Sequence, residues 1–170
     1  MSRYLIAIIP PEPIAGEIYK LKEYFRDHYQ SKASLNSPAH ITMHMPFDWD
    51  ETKEQHLFEA LPLVQPFDVE LRNFGCFEPR VIFIDVVKNE ALSSAQARLL
   101  EFCRARFNLF NANYKDHPFH PHVTIAFRDL KRERFASAWR EFRMKSYYSR
   151  FECTRLSLLK HDGKNWRDFS

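Results

Sequence analysis

Glycine is nearly missing: the 170-residue chain holds only Gly16, Gly75 and Gly163. A phosphate-cradling loop needs several glycines close together, and so does the dinucleotide fingerprint. Both are excluded, and with them a large set of ATP- and NAD-dependent enzymes. Any phosphate handled here must be held by side chains or isolated backbone amides. Cysteine is scarce as well. Cys76, Cys103 and Cys153 are odd in number and lack metal-ligand spacing, which favours reduced thiols in a cytoplasm. Long apolar runs are also lacking. The stretch from Tyr4 to Ile9 stops at Pro10-Pro11, too short to span a bilayer or to form the core of a signal segment.

What remains describes one globular domain. With 45% hydrophobic and 15% aromatic residues, a chain of this length buries a real core. The net charge of +3 is unevenly spread. Residues 1–80 hold 8 Lys/Arg against 12 Asp/Glu, and residues 81–170 hold 17 against 10. A basic second half suits an anionic partner such as nucleic acid or nucleotide, and equally an ordinary solubilising surface.

The order of elements occurs twice. Hydrophobic periodicity predicts a strand from Arg3 to Ile9 and a helix from near Pro13 with Ile14, Ile18, Leu21 and Phe25 on one side. A strand from His40 to Phe47, a helix over 51–61 and a strand from Phe67 to Phe77 follow. The second half repeats this: a strand over 81–87, a helix from Leu92 to Phe107, a strand from His122 to Phe127, a helix over 131–142 and a strand over 151–159. Spacing agrees, with His40 lying 36 residues after Tyr4 and His122 lying 40 after Ile82. The economical reading is an internal duplication with lobes of about 1–78 and 79–170, β-α-β-α-β each, facing a central cleft. The expected class is α+β with mainly antiparallel sheets.

The middle strand of each unit carries the same unusual pair. "HITMHMPF" begins His40-Ile-Thr42, and "FHPHVTIAF" contains His122-Val-Thr124. Residues two apart in a strand point the same way, so each unit offers an imidazole and a hydroxyl on one face. From composition, chance supplies about 0.2 His-x-Thr pairs in such a chain. Two strand histidines bonded locally is the bland alternative. Histidine titrates near neutrality, so one imidazole can serve as base while the other serves as acid. Threonine hydroxyls can donate to non-bridging phosphate oxygens and steady charge that grows during phosphoryl transfer. Chemistry needing these four groups and no metal is cleavage of a phosphodiester, above all a strained 2′,3′-cyclic one. A bell-shaped profile of kcat/KM centred near neutral pH is expected.

The paired motifs resemble the His-x-Thr-x signatures of the 2H phosphoesterase superfamily, most closely its branch of 2′-5′ RNA ligases and RNA 2′,3′-cyclic phosphodiesterases. "NFGCFEPRVIFIDV" (73–86) and "LSLLKHDGKNW" (156–166) are similar to segments of the same branch, so the resemblance covers most of the chain. It implies His40 and His122 as the catalytic pair, with Thr42 and Thr124 binding phosphate. In the family's scheme the second histidine activates water and the first protonates the departing 3′ oxygen, leaving a 2′-phosphate. No cofactor or metal is implied. The partners implied are RNA 3′ ends or small cyclic nucleotides, handled by a monomer, with 2′-5′ ligation as an associated activity. The branch often carries arginine behind its motifs. Here His44 stands four places after the first histidine, and Arg128 one place late after the second; both are candidate substrate-binding residues. A non-catalytic RNA-end-binding or nucleotide-binding module is the competing class.

Other signals are weaker. "KHDG" (160–163) matches a ligase nucleophile motif, but only seven residues follow it, and Asp162-Gly163 reads better as a two-residue hairpin turn. His117, His120 and His122 could suggest a metal, yet Pro118 and Pro121 interrupt them, and a solvent-facing place or one beside the site suits His117 and His120 better. Phe47, Phe77, Phe119 and Trp166 could stack on a base and are as readily core.

Overall fold

Short apolar-polar alternations bounded by turn residues give eight strands among the described residues. The structure, a computed structural model, describes residues 1–111 and 118–170. In order these form β1 (Ser2–Ile8), α1 (Ile14–Tyr29), a short 3-10 helix (Ala33–Asn36), β2 (Ile41–Trp49) and a longer 3-10 helix (Glu51–Ala60). Then come β3 (Pro62–Phe77), β4 (Val81–Val86), α2 (Glu90–Phe107), β5 (His122–Ala126), α3 (Arg132–Phe142), β6 (Tyr148–Arg155), β7 (Ser157–His161) and β8 (Trp166–Asp168). Among the described residues the strands form one antiparallel sheet, ordered β6-β3-β4-β5-β2-β1-β7-β8. The α+β antiparallel class expected from sequence is the one adopted.

The boundary at residue 78 does not divide the sheet. β3, expected to close the first lobe, pairs with β4 and β6 of the second. In return β7, from the end of the chain, pairs with β1. The single strand expected over 151–159 breaks at Leu156, where the chain leaves β3 for β1, and the Leu156 amide donates to the Leu61 carbonyl. Each half-sheet is therefore built from both halves of the sequence. The halves meet where β2 and β5 pair through Ile41 and Val123.

One face of the sheet is sealed by helices. Tyr4, Ile6 and Ile8, Ile41 and Met43, Ile82 and Ile84, and Val123 and Ile125 are buried there against α1, α2 and α3. α2 follows from its sequence: Asn89 caps its first turn by accepting from the Ala91 and Leu92 amides, and Leu92, Gln96, Leu99, Cys103 and Phe107 form the buried stripe. Both α1 and α2 stop at a left-handed residue, Gln30 and Asn108. The stretch 51–61 is 3-10 rather than the expected α-helix, because it buries only Leu57 and Ala60 within the helix and so lacks an amphipathic stripe. Asp162-Gly163 does sit in a hairpin turn, but His161 pairs with Trp166, making the connection four residues long. Gly163 supplies its positive φ of 99°.

Candidate active site

The seam between the half-sheets creates the site. Ile41 and Val123 point into the helix-side core, so their neighbours His40, Thr42, His122 and Thr124 point to the opposite face. By the antiparallel register, His40 lies across from Thr124 and Thr42 across from His122. Each imidazole faces the other unit's hydroxyl about a pseudo-twofold axis. All four line one cleft of about 550 Å³.

The two histidines are also held alike. His40 Nδ1 lies 2.8 Å from the Pro38 carbonyl oxygen and His122 Nδ1 lies 2.7 Å from that of His120. A carbonyl can only accept, so each Nδ1 carries a proton and donates it, leaving Nε2 for chemistry. Burial pulls the His40 imidazole down to about 4; the Pro38 carbonyl opposes this, and the Lys22 and His122 charges add to it. Burial also lowers His122, with the His120 charge adding to it, against the pull of the His120 carbonyl and, more weakly, Asp85.

Lys22 breaks the symmetry. It lies on the buried face of α1 at 1% exposure, following Ile14 and Ile18 by helical spacing. Leu21, expected there, is only partly buried. The Lys22 ammonium donates to the Ser34 and Ser37 carbonyls at 2.9 Å each and forms no ion pair among the described residues. Burial brings it down to about 8. Ser34 and Ser37 line the cleft, so an unneutralised cation stands directly behind its wall. The same loop is stapled to the other unit. Ser34 Oγ donates to the Ile125 carbonyl, and Asp129 accepts from Ser31 Oγ and from the Lys32 and Ala33 amides. Reciprocally, Asn111, beyond α2, accepts from the Met45 amide on β2.

On its β4 side the cleft is shut by rings. Phe83, 2% exposed, sits with its centroid 5.0 Å from that of His122, and Phe77 lies 5.1 Å from His122 and 4.6 Å from Phe83. Gly75 makes this possible: a Cβ there would come within 2.5 Å of the Phe83 ring. His120 packs on the same rings and pairs with Asp85 at 3.1 Å, the neighbouring role expected of it. His117 lies outside the described residues.

His44 does not reach the cleft. β1 pairs Ala7 with Thr42 but Ile6 with His44, so β2 gains a residue there and the alternation flips. His44 turns into the core at 1% exposure, its ring edge-on to Phe47, while Met45 and Pro46 take the cleft wall. Arg128 does line the cleft, exposed and in a left-handed conformation, its guanidinium 5.3 Å from the Phe127 ring centre. A second cavity, about 440 Å³ between β3 and α2, contains none of the motif residues.

A family model described as the 2′-5′ RNA ligase superfamily matches residues 10–165. The chain belongs to that superfamily. A protein of Oceanobacillus iheyensis with a provisional phosphoesterase name is 28% identical over 171 residues, spanning 96% of this chain and 93% of its own. A similarly named protein of Geobacillus kaustophilus is 26% identical over 92% of this chain and 87% of its own. Among solved structures, TT0787 of Thermus thermophilus aligns with a TM-score of 0.70 at 19% identity, covering 99% of this chain and 95% of its own. Ligand-free Escherichia coli LigT aligns at 0.62 and 19% identity, covering 98% and 92%. The shared fold is that of the LigT-type phosphoesterases.

For this superfamily member, sequence reasoning found the four motif residues and missed what surrounds them. Arg3, Leu5, His161 and Lys164 line the cleft with Trp166, because β7 and β8 return to β1. Lys22 did leave a trace in the sequence: a lysine on the apolar stripe of α1. Of the suggested aromatics, Trp166 lines the cleft, Phe77 walls His122, and Phe47 and Phe119 pack on the core.

Proposed function

We propose that the protein hydrolyses 2′,3′-cyclic phosphodiesters, at RNA ends or on related nucleotides, without a metal. The observation that carries this is the pair of imidazoles with free Nε2 atoms, set with two threonine hydroxyls about a twofold axis on one cleft. One neutral Nε2 takes the proton of a water whose oxygen attacks phosphorus. The 3′ oxygen leaves with the proton of the other imidazolium, giving a 2′-phosphate. Thr42 and Thr124 donate to the non-bridging oxygens as charge grows. Replacing the water by the 5′-hydroxyl of a second strand gives 2′-5′ ligation by the same steps.

The resemblance alone makes His122 the base. The surroundings of the two rings favour the reverse: burial, with the Lys22 charge adding to it, drives His40 to its neutral form at about 4, while at His122 burial and the His120 charge are opposed by the His120 carbonyl and by Asp85. We therefore assign His40 as base and His122 as acid. Among the described residues no three or more His, Cys, Asp or Glu gather as metal ligands, in keeping with a donor set of two imidazoles and two hydroxyls. E. coli LigT has been solved with 3′-AMP, with NADP+, with ATP and with phosphate, which supports nucleotide-like ligands for this cleft too. The three free cysteines support a cytoplasmic setting, where the protein acts as a monomer.

Turnover of a 2′,3′-cyclic nucleotide in chelator, with phosphorus NMR of the product, is the test. A 2′-phosphate is expected. Tight binding without turnover would make the protein the RNA-end-binding module instead.

A further inference from the structure

We propose that the cleft carries a second anion subsite, formed by Arg3 and Lys164 beside the Trp166 ring. It takes the 5′-phosphate of the nucleotide whose cyclic phosphate sits at the two histidines. What occupies the histidines rests on the reading above; the subsite rests on separate observations.

The first is a directional asymmetry. The four motif residues are arranged symmetrically, but the cleft is not. Toward β4 it is walled by Phe83, which lies against Gly75, and by Phe77, tilted against Phe83. Toward β1 it stays open, running past Leu5 to His161, Lys164 and Trp166 at the β7–β8 hairpin. A substrate larger than its reacting phosphate can extend that way.

The second is the chemistry along that path. Trp166 is packed against Leu5, Ala7 and Leu159, which fixes an indole as a half-buried shelf for a sugar or base. Arg3 and Lys164 stand by it and form no ion pair among the described residues. The hairpin's own carboxylate is already engaged. Asp162 accepts from the Lys164 and Asn165 amides and pairs with Arg167 at 3.0 Å, which fixes the Lys164 backbone while leaving its ammonium unneutralised. His161 Nδ1 accepts from the Gly163 amide, so its Nε2 carries the proton of the neutral ring and adds a donor. Two free cations and a ring donor beside an aromatic shelf recognise a phosphate one nucleoside away from the reacting one. A cyclic mononucleotide without a 5′-phosphate leaves them idle.

Calorimetric binding of adenosine 2′-monophosphate and adenosine 2′,5′-bisphosphate isolates that phosphate. The bisphosphate is expected to bind wild type about tenfold more tightly, the sum of two exposed charge contacts, with the ratio shrinking as salt rises. In the double variant Arg3→Gln/Lys164→Gln the ratio should fall to about one. Arg167→Gln, which removes a cation already neutralised by Asp162, should keep it. Equal affinities in wild type, or a ratio that survives the double variant, would overturn the subsite. A preserved ratio in a protein that turns over no cyclic substrate would leave the subsite standing and remove the hydrolase reading.

Discussion

A proton-transfer group works best when it titrates near the working pH, and burial has moved both imidazoles below their ordinary range. The active form of the pair carries one proton, so it is most populated between two lowered titrations. The optimum of kcat/KM should therefore lie on the acid side of neutral, not at neutrality as the sequence suggested. Bound phosphate favours the imidazolium and should carry the kcat profile to higher pH than the kcat/KM profile. Both curves, measured from pH 4 to 9, check this. His40→Gln should remove the acid limb and His122→Gln the alkaline limb; the opposite pattern restores the role order implied by the resemblance. Either alanine variant should lower kcat by roughly 10² to 10⁴, and the pair together by less than the product. Lys22→Met removes the cation behind His40, so the acid limb should rise in pH while the affinity for inorganic phosphate falls; Lys22→Arg should restore part of both. His40 and Thr42 were legible because their residue types carry chemistry and recur in register. Lys22 left only its place on the apolar stripe of α1 as a trace; its burial, which makes it matter, comes from the loop and β5 that α1 packs on.

Elements decide which side chains arrive at the cleft. The bulge in β2 sends His44 into the core, and nothing in "HITMHMPF" announces it, since the extra residue exists only relative to β1. The reverse holds for "NFGCFEPRVIFIDV". Its glycine lies inside β3, and in the sheet it makes room for Phe83 against His122. Gly75→Ala should drive that ring toward His122. The expected results are a loss of about 1–3 kcal/mol in urea unfolding and a fall in kcat larger than any change in KM. Gly75→Ala/Phe83→Leu removes the clash and should regain stability, while kcat stays low because the wall beside His122 is gone.

At the scale of the whole molecule, duplication was legible and its consequence was not. Repeated spacing suggests two lobes divided near residue 78, but pairing between distant strands is set by the sheet, not by order along the chain. With β3 given to the second half and β7 to the first, each half-sheet loses a strand if the chain is cut near residue 78. The loop before His40 is further tied to β5 through Ser34 and Asp129. Unfolding one half thus strips the other of a strand and of the clasp that sets His40. The three tryptophans report on separate regions: Trp49 on β2, Trp139 on α3 and Trp166 on β8. Single-tryptophan proteins, with the other two changed to Phe, should give urea transitions that coincide with one another and with the loss of circular dichroism. An earlier transition at Trp166 alone would show that the β7–β8 hairpin peels from β1 while the rest holds. Asp129→Ala should lower the common midpoint without splitting it, because its three hydrogen bonds join the halves rather than stabilise one of them.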